Sequence, residues 1–575
     1  MQEKSSTQMK TIVTTIQHEQ NEIIRDTQSD LLFVQGAAGS GKTSAIMQRM
    51  AYLLYRYRGN LNSADILMFS PNQLFNDYVK NVLPEMGESN MVQFTLESFV
   101  GRRLPGLTII NVLDSWEGQF ADISRKITHL LASEAFFDVI ENYAKKLNHQ
   151  GVKFRSIIFN KKEIMPAEKI EQIFYQFNNN YKLINRLDET KKLVLKQIKS
   201  ILGRQKKSNW VSSQIESMSE EEFRSQNPRN REFSSSSEEY NFYATKIVNR
   251  EYEKIAHKVN RNFFLNIMSQ YRDLLRTVGE DQSLLTKYNL TKKDWQQYLT
   301  EVKELLSKKS MTINEALPFI HLFDLLTGRH GELGIRYVFV DEIQDYTPYQ
   351  IRYLRKSFPR ARFTLLGDLN QEIFSFDEGK YLVDEVKKIF SKEKTRVINL
   401  PTSYRSTKQI TNFTKEILHD GETIKAFDRD GKLPTVFLAD GFNEADRKLI
   451  ELLRKEQNEN YTTAVITKSL EEATKVAEAL ENEKIDRLLI QSAKQHLGKK
   501  VIVIPSYLAK GLEFDVVIAY NISESTFNQG YERKLLYTLC SRAMHELNII
   551  SVDEMSPLLT KIPKKLYQIE KLKEV

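Results

Sequence analysis

The sequence predicts an α/β protein with parallel sheets flanked by helices and one large, mainly helical insertion, and three observations lead there. Gly36-Ala37-Ala38-Gly39-Ser40-Gly41-Lys42-Thr43 fits G-x-x-x-x-G-K-[ST] and stands between a short apolar run at residues 31–35 and a helix-forming stretch at 44–55, the strand–loop–helix setting of a phosphate loop. Short apolar and β-branched runs recur at 66–69, 337–340, 363–366 and 397–400, and again at 464–466, 501–504, 516–519 and 547–552. Their alternation with helical stretches predicts two α/β domains. Between residues 105 and 329 the pattern changes to long, charged segments of helical period. The expected division is residues 1–104 and 330–390 for a first α/β domain, 105–329 for a helical insertion in it, and 391–575 for a second α/β domain.

Composition bounds the function. A chain of 575 residues exceeds one hydrophobic core. No apolar run approaches the ~18 residues of a spanning helix, and Met1-Gln2-Glu3-Lys4 does not open like a signal peptide. A membrane role is therefore not expected, and a cytoplasmic location is. The single cysteine, Cys540, leaves no internal disulfide and no cysteine-cluster metal site, and it reads as a small buried residue. A formal net charge of +8 admits a nucleic-acid partner without requiring one.

In chain order, helical spacing over residues 16–24 puts Gln20 one short helix ahead of the first strand. Its carboxamide offers a donor and an acceptor that match the adenine N6 and N7 edge, although a solvated helix glutamine is the commoner reading. In the loop, glycines permit the φ values that turn N–H groups from Gly36 to Ser44 onto phosphate oxygens. Lys42 then reaches the β- and γ-phosphates and the Thr43 hydroxyl helps hold Mg²⁺. The helix that follows adds its positive N-terminal end. The strand at 66–69 leads through Ser70-Pro71-Asn72 into a helix at 73–83.

Within the insertion, residues 191–205 set Leu195, Ile198 and Leu202 as an apolar seam among lysines, whose commoner reading is a solvated face rather than a phosphate-binding one. Residues 212–239, with Ser234-Ser235-Ser236-Ser237, are too polar to bury much apolar surface, so a mobile tip is expected there. The strand at 337–340 then runs into Asp341-Glu342-Ile343-Gln344-Asp345. Two carboxylates thus emerge at a strand's C-terminal end, where open α/β sheets bind ligands. Asp341 can hold Mg²⁺, and Glu342 can orient or deprotonate the water that attacks a γ-phosphate. The chain has neither an LSGGQ-type nor an NKxD stretch, which weighs against transporter ATPases and GTPases.

Together these stretches resemble the UvrD/Rep-like branch of superfamily 1 helicases, whose second acidic motif ends in a Gln-Asp pair, as Gln344-Asp345 does here. Gly367-Asp368-Leu369-Asn370-Gln371 is similar to that family's coupling motif, which implies that Gln371 senses the γ-phosphate. Ser403-Tyr404-Arg405-Ser406-Thr407 resembles its NYRST motif, implying that Tyr404 stacks on adenine and Arg405 reaches the γ-phosphate from the second domain. Lys510-Gly511-Leu512-Glu513-Phe514 matches KGLEF, which implies that Glu513 holds the ribose. Ser541-Arg542-Ala543 after Tyr537 resembles the last motif, making Arg542 a second arginine finger. In that company Gln20 becomes the adenine reader. The resemblance covers residues 16–100 and 335–552. It implies two RecA-like domains facing each other across one ATP with Mg²⁺, and a 3′ to 5′ motor on single-stranded DNA.

Within the branch, Ile16-Gln17-His18-Glu19-Gln20-Asn21, Ser70-Pro71-Asn72 and Pro505-Ser506-Tyr507-Leu508-Ala509-Lys510-Gly511 are most similar to the HelD group, helicase-like ATPases that work on bacterial RNA polymerase. That resemblance implies RNA polymerase as an alternative partner, with remodelling in place of unwinding. Members of the group carry a long N-terminal coiled arm, for which there is no room before Gln20, so either a shortened relative or an internal start is expected. Positions with which the wider branch grips single strands differ here. Glu97 in Thr95-Leu96-Glu97-Ser98 replaces a histidine, Phe376-Asp377 stands for an aromatic–arginine pair, and Tyr507 replaces a histidine. A carboxylate in such a place repels phosphate. The second domain also has too little chain for the bulky insertion of processive relatives.

Overall fold

The computed structural model describes residues 18–70, 91–110, 122–178, 181–228, 231–328, 334–371, 380–390, 394–456, 461–491 and 500–572. The chain divides into two compact units. One comprises the described residues within Met1–Glu134, Glu304–Asn314 and Gly331–Val575, and the other those within Ala135–Lys303 and Glu315–His330.

Among the described residues, the larger unit holds two large sheets and two short two-stranded ones. The first consists of β1 (Leu31–Gly36), β2 (Ile66–Phe69), β3 (Val92–Phe94), β4 (Tyr337–Val340), β5 (Arg362–Gly367) and β6 (Thr395–Leu400), in the order β6-β1-β5-β4-β2-β3. Every pairing is parallel. Strands such as Ile66–Phe69 and Tyr337–Val340 are buried at every position, which is why they read as continuous apolar runs rather than alternating ones. Register sets the functional edge: Gly36 lies opposite Leu400, Gln35 opposite Gly367, and Phe69 opposite Val340. The phosphate loop, Asp341 and Asp368 therefore leave neighbouring strands at the same edge.

The second sheet comprises β7 (Thr435–Ala439), β8 (Thr463–Thr467), β9 (Leu488–Leu489), β10 (Val501–Pro505), β11 (Phe514–Tyr520), β12 (Ala543–Val552) and β13 (Gln568–Lys571), in the order β9-β10-β8-β11-β12-β7-β13. All its pairings are parallel. With helices on these sheets, the protein has the expected α/β class, consistent with two RecA-like helicase domains.

The domain limits differ from those read in the sequence. The run at 397–400, grouped with the first set of strands although the limit was drawn at 391, belongs to Thr395–Leu400, which pairs with β1 as the edge strand of the first sheet. Only Ile398 and Leu400 of β6 are buried, while Arg396, Val397 and Asn399 are exposed, as suits an edge strand. The chain on either side of the helical unit is also zipped into the larger one, since Thr108–Ile110 pairs in parallel with Ser310–Thr312.

Among its described residues the smaller unit is helical apart from a hairpin of Ile157–Phe159 and Lys162–Met165 and an isolated bridge between Phe154 and Leu265. In the helix Leu183–Gly203 the buried seam is Leu187, Val194, Ile198 and Leu202, with Val194 taking the place expected of Leu195. Helices occupy much of 212–239. Where a mobile tip was expected, helices run over Asn209–Glu216 and Glu220–Gln226, and a third, Ser236–Asn260, begins. The serines act as helix caps there. Ser219 and Glu222 form a capping box, and the Ser235 hydroxyl accepts from the Glu238 N–H. Phe223 packs edge-on to Tyr243 at 4.8 Å, and Phe233 lies 5.2 Å from Phe242. Phe223 and Phe233 are only part-buried, so these helices rest on caps and on aromatic contacts to the helix Ser236–Asn260 rather than on a core of their own.

Among the described residues, no helix is long and apolar enough to cross a membrane. The expected helix at 73–83, residues 16–17 and the Phe376-Asp377 pair lie outside the described residues.

Candidate active site

The strand–loop–helix around Lys42 takes the conformation its sequence demands. Gly39 and Gly41 sit at φ 70° and 79°, in the left-handed region, and the helix Lys42–Arg56 starts directly after. Close approach adds a second reason for glycine. A Cβ on Gly39 would fall 2.2 Å from the Arg405 Cβ, and one on Gly41 would fall 2.7 Å from Gln20 Nε2. Gln20, on the helix His18–Arg25, donates to the Ser40 carbonyl at 3.4 Å. That helix is anchored from below by buried Arg49, which donates to the Ile23 carbonyl at 2.6 Å, the Asp26 carbonyl at 2.5 Å and the Thr364 hydroxyl at 3.2 Å.

Lys42 Nζ donates to the carbonyls of Gly36 at 2.8 Å and Ala37 at 3.0 Å. Its burial pulls its pKa below the usual lysine range, against the attraction of Asp368, Glu342 and Asp341. The Thr43 hydroxyl lies 3.3 Å from Asp341 Oδ2, and Asp341 Oδ1 accepts the Glu342 N–H at 2.9 Å. Burial, followed by the neighbouring Glu342 charge, pushes the Asp341 carboxyl up. Burial acts the same way on Glu342, but Lys510, Lys42 and Arg542 outweigh it and hold that carboxylate below its usual range. Glu342 itself stands at φ 51° in the left-handed region, a conformation that costs a non-glycine residue on the order of 1–2 kcal/mol and collects at functional sites.

The second sheet's domain closes on this loop. The Ser403 hydroxyl donates to the Ala38 carbonyl at 2.7 Å and the Tyr404 N–H to the Gly39 carbonyl at 3.0 Å. Arg405 pairs with Glu513. Arg542 is 1% exposed; its Nε donates to the Thr538 carbonyl at 2.9 Å and its Nη2 to Gln371 Oε1. Burial, and then the nearby Arg405 charge, lowers the Arg542 guanidinium to about 10. Lys510 Nζ bridges Asp345 and the Gln371 carbonyl, the latter at 3.0 Å.

Of the residues expected at this site, Gln20, the loop Gly36–Ser44, Asp341, Glu342, Gln371, Tyr404, Arg405, Glu513 and Arg542 all gather here. Glu513 meets Arg405, and Gln20 meets the loop backbone. Asp368, Gln344, Asp345 and Lys510 lay inside the quoted motifs without a role. Asp368 carried a readable signal, a carboxylate directly after a buried strand, like Asp341. Phe427, whose ring centroid is 5.1 Å from that of Tyr404, carried none, because it arrives through the short pairing of Thr402–Ser403 with Lys425–Ala426.

The profile of the UvrD/REP helicase N-terminal domain matches residues 16–383, more than half of the chain. The chain belongs to the UvrD/REP helicase family. A UvrD-like helicase C-terminal domain matches residues 500–550. No curated protein matches the chain. Among solved structures, the C-terminal domain of a possible DNA helicase from Lactobacillus plantarum WCFS1 is 43% identical over 29% of this chain and 98% of its own, with a TM-score of 0.26. Family membership makes the protein a helicase-class nucleic-acid motor, and UvrD-like helicases generally use ATP with Mg²⁺.

The residues present fit both groups. Ser40 Oγ is buried with no hydrogen-bond partner among the described residues, and Lys42, Arg405 and Arg542 converge where an anion would relieve their mutual repulsion. Thr43 and Asp341 supply one hydroxyl and one carboxylate, the sparse donor set Mg²⁺ takes when phosphates and waters complete its shell. No cluster of three or more metal-ligating side chains occurs among the described residues.

Proposed function

We propose that the protein is an ATP-driven motor on single-stranded DNA, moving 3′ to 5′, in which closure of the second domain on the phosphate loop completes the hydrolytic site. The closure is supported by Arg542, a buried cation from the second domain bonded to Gln371 of the first, and the DNA substrate and direction by membership of the UvrD/REP helicase family. The loop of Gly36, Ala37, Ala38, Gly39, Ser40, Gly41, Lys42, Thr43 and Ser44 cradles the phosphates, through backbone N–H groups other than those of Ala37 and Ser40, which donate to the Leu400 and Ala37 carbonyls, both at 3.1 Å. Lys42 meets the β/γ oxygens, and Thr43 and Asp341 hold Mg²⁺. Gln20 and Tyr404 take the adenine, and Glu513 takes the ribose. ATP with Mg²⁺ supplies the transferable phosphoryl group. Glu342, kept ionised by Lys510, Lys42 and Arg542, orients and accepts a proton from the attacking water. Gln371, Arg405 and Arg542 bear on the γ-phosphate, so its loss removes what holds the domains closed.

A second reading, remodelling of RNA polymerase in the manner of HelD-like ATPases, is favoured by Glu97. It sits in the first turn of the helix Leu96–Arg103, which Thr95 caps. There its charge suits the helix end and opposes a DNA phosphate. ATP turnover measured with single-stranded DNA and with core RNA polymerase separates the two. Stimulation by DNA supports the motor, and stimulation by polymerase alone supports remodelling.

A further inference from the structure

Gln344 is 2% exposed and lies in the short turn Ile343–Asp345, directly after left-handed Glu342. Its amide nitrogen donates to Glu342 Oε2, and its amide oxygen accepts the Asp368 N–H at 3.0 Å. Only a group with one donor and one acceptor on the same plane satisfies both partners. A carboxylate cannot donate to Glu342, and asparagine is one methylene too short to span them. The fit extends to the opposite strand, where a Cβ on Gly367 would fall 2.2 Å from Gln344 Oε1, so glycine there is what admits the amide.

The bonds continue beyond Gln344. The Asp368 carboxylate accepts from the Asn370 N–H and from Gln371 Nε2, both at 3.0 Å, and Gln371 Oε1 accepts from Arg542. Asp368, Gln371 and Arg542 are each 3% exposed or less. An unbroken chain, Glu342–Gln344–Asp368–Gln371–Arg542, thus joins the carboxylate assigned to the water with the arginine assigned to the γ-phosphate. In a water-poor interior such a network is rigid only while every member is satisfied.

We infer that Gln344 is a positioning residue for hydrolysis. It holds the Glu342 carboxylate in one orientation and ties that orientation to the docking of Arg542 on Gln371. Gln344 makes no hydrogen bond to the phosphate loop among the described contacts, so it serves the catalytic step rather than nucleotide binding. The inference rests on the role proposed above for Glu342.

The test is steady-state ATP turnover of the full chain carrying Gln344→Met, which keeps the side-chain length and loses both hydrogen bonds, and Gln344→Glu, which keeps the shape and sets two acceptors face to face. Both variants should lose on the order of 10²-fold in kcat, the scale of a general base left unoriented, with KM for ATP within about threefold of the parent. Adding Gln344→Met to Arg542→Ala should cost much less than it costs alone, because the pair acts as a unit. Circular dichroism and fluorescent-nucleotide binding show whether each variant is folded and loaded. A folded Gln344→Met protein with kcat within about threefold of the parent overturns the inference, as does a matched rise in KM with unchanged kcat. Glu342→Gln is run alongside. If it too retains turnover, the reading of Glu342 fails, whereas an inactive Glu342→Gln beside an active Gln344→Met defeats only the coupling.

Discussion

Arg405→Ala and Arg542→Ala should impair hydrolysis equally while differing in stability, and the contrast follows from where each guanidinium sits. Removing an arginine finger costs on the order of 10³-fold in turnover, which is about 4 kcal/mol of barrier at 1.36 kcal/mol per tenfold. Arg405 keeps 19% of its side chain exposed and pairs with Glu513, itself 44% exposed. A pair of that exposure contributes about 0–1 kcal/mol, so the Arg405→Ala protein should melt within a few degrees of the parent. Arg542 is 1% exposed, and its loss strips Gln371 Oε1 and the Leu512 carbonyl of donors at 1–3 kcal/mol each, roughly. The Thr538 carbonyl keeps the Ser541 hydroxyl, and release from the neighbouring Arg405 charge offsets part of the loss. A net destabilisation of about 1–3 kcal/mol remains for the domain pair. The assay is ATP turnover at saturating nucleotide and Mg²⁺, with urea denaturation of the same samples. Parent-like turnover in both variants would refute a site shared between two domains, and equal stabilities would refute the burial argument for Arg542.

Three further outcomes follow from the same geometry. Lys42→Ala and Glu342→Gln should both stop hydrolysis, but only Lys42→Ala should lose nucleotide binding in equilibrium titration, since Glu342 acts on water rather than on phosphate. Arg49→Met should destabilise the first domain by about 3–5 kcal/mol, because the buried carbonyls of Ile23 and Asp26 lose a charged donor, and it should raise KM for ATP by releasing the helix that carries Gln20. Burial would raise the Asp26 carboxyl, yet the Ser29 backbone and hydroxyl bonds and the Arg49 charge hold it below its usual range. Its stabilising effect is therefore present above pH ~4 and lost as pH falls through the depressed value, so Asp26→Asn should destabilise at pH 7 and converge with the parent in acid denaturation.

The nucleotide half of the site was legible because its chemistry is local. Eight consecutive residues make the loop, and Asp341-Glu342 follows a strand, so spacing alone joined Lys42, Thr43 and the two carboxylates. Arg405 and Arg542 could not be reached that way. They enter from a second domain hundreds of residues on, and only the resemblance of their motifs brought them forward. The chain from Glu342 to Arg542 was less visible still, because Gln344 and Asp368 do nothing alone and matter through bonds to each other across two strand ends. In the helical unit, the helices Asn209–Glu216 and Glu220–Gln226 were not legible. Average polarity over 212–239 hid capping serines and a few well-spaced aromatics. The limit at 391 was drawn too early because Thr395–Leu400 continues the first sheet, through a pairing with β1 that the sequence pattern does not display.

ATP turnover titrated with single-stranded DNA bears most directly on the motor reading, with the Glu342→Gln protein as its control. The account predicts a saturable rise in turnover for the parent protein, abolished in Glu342→Gln. A turnover rate that single-stranded DNA leaves unchanged at every concentration would contradict it.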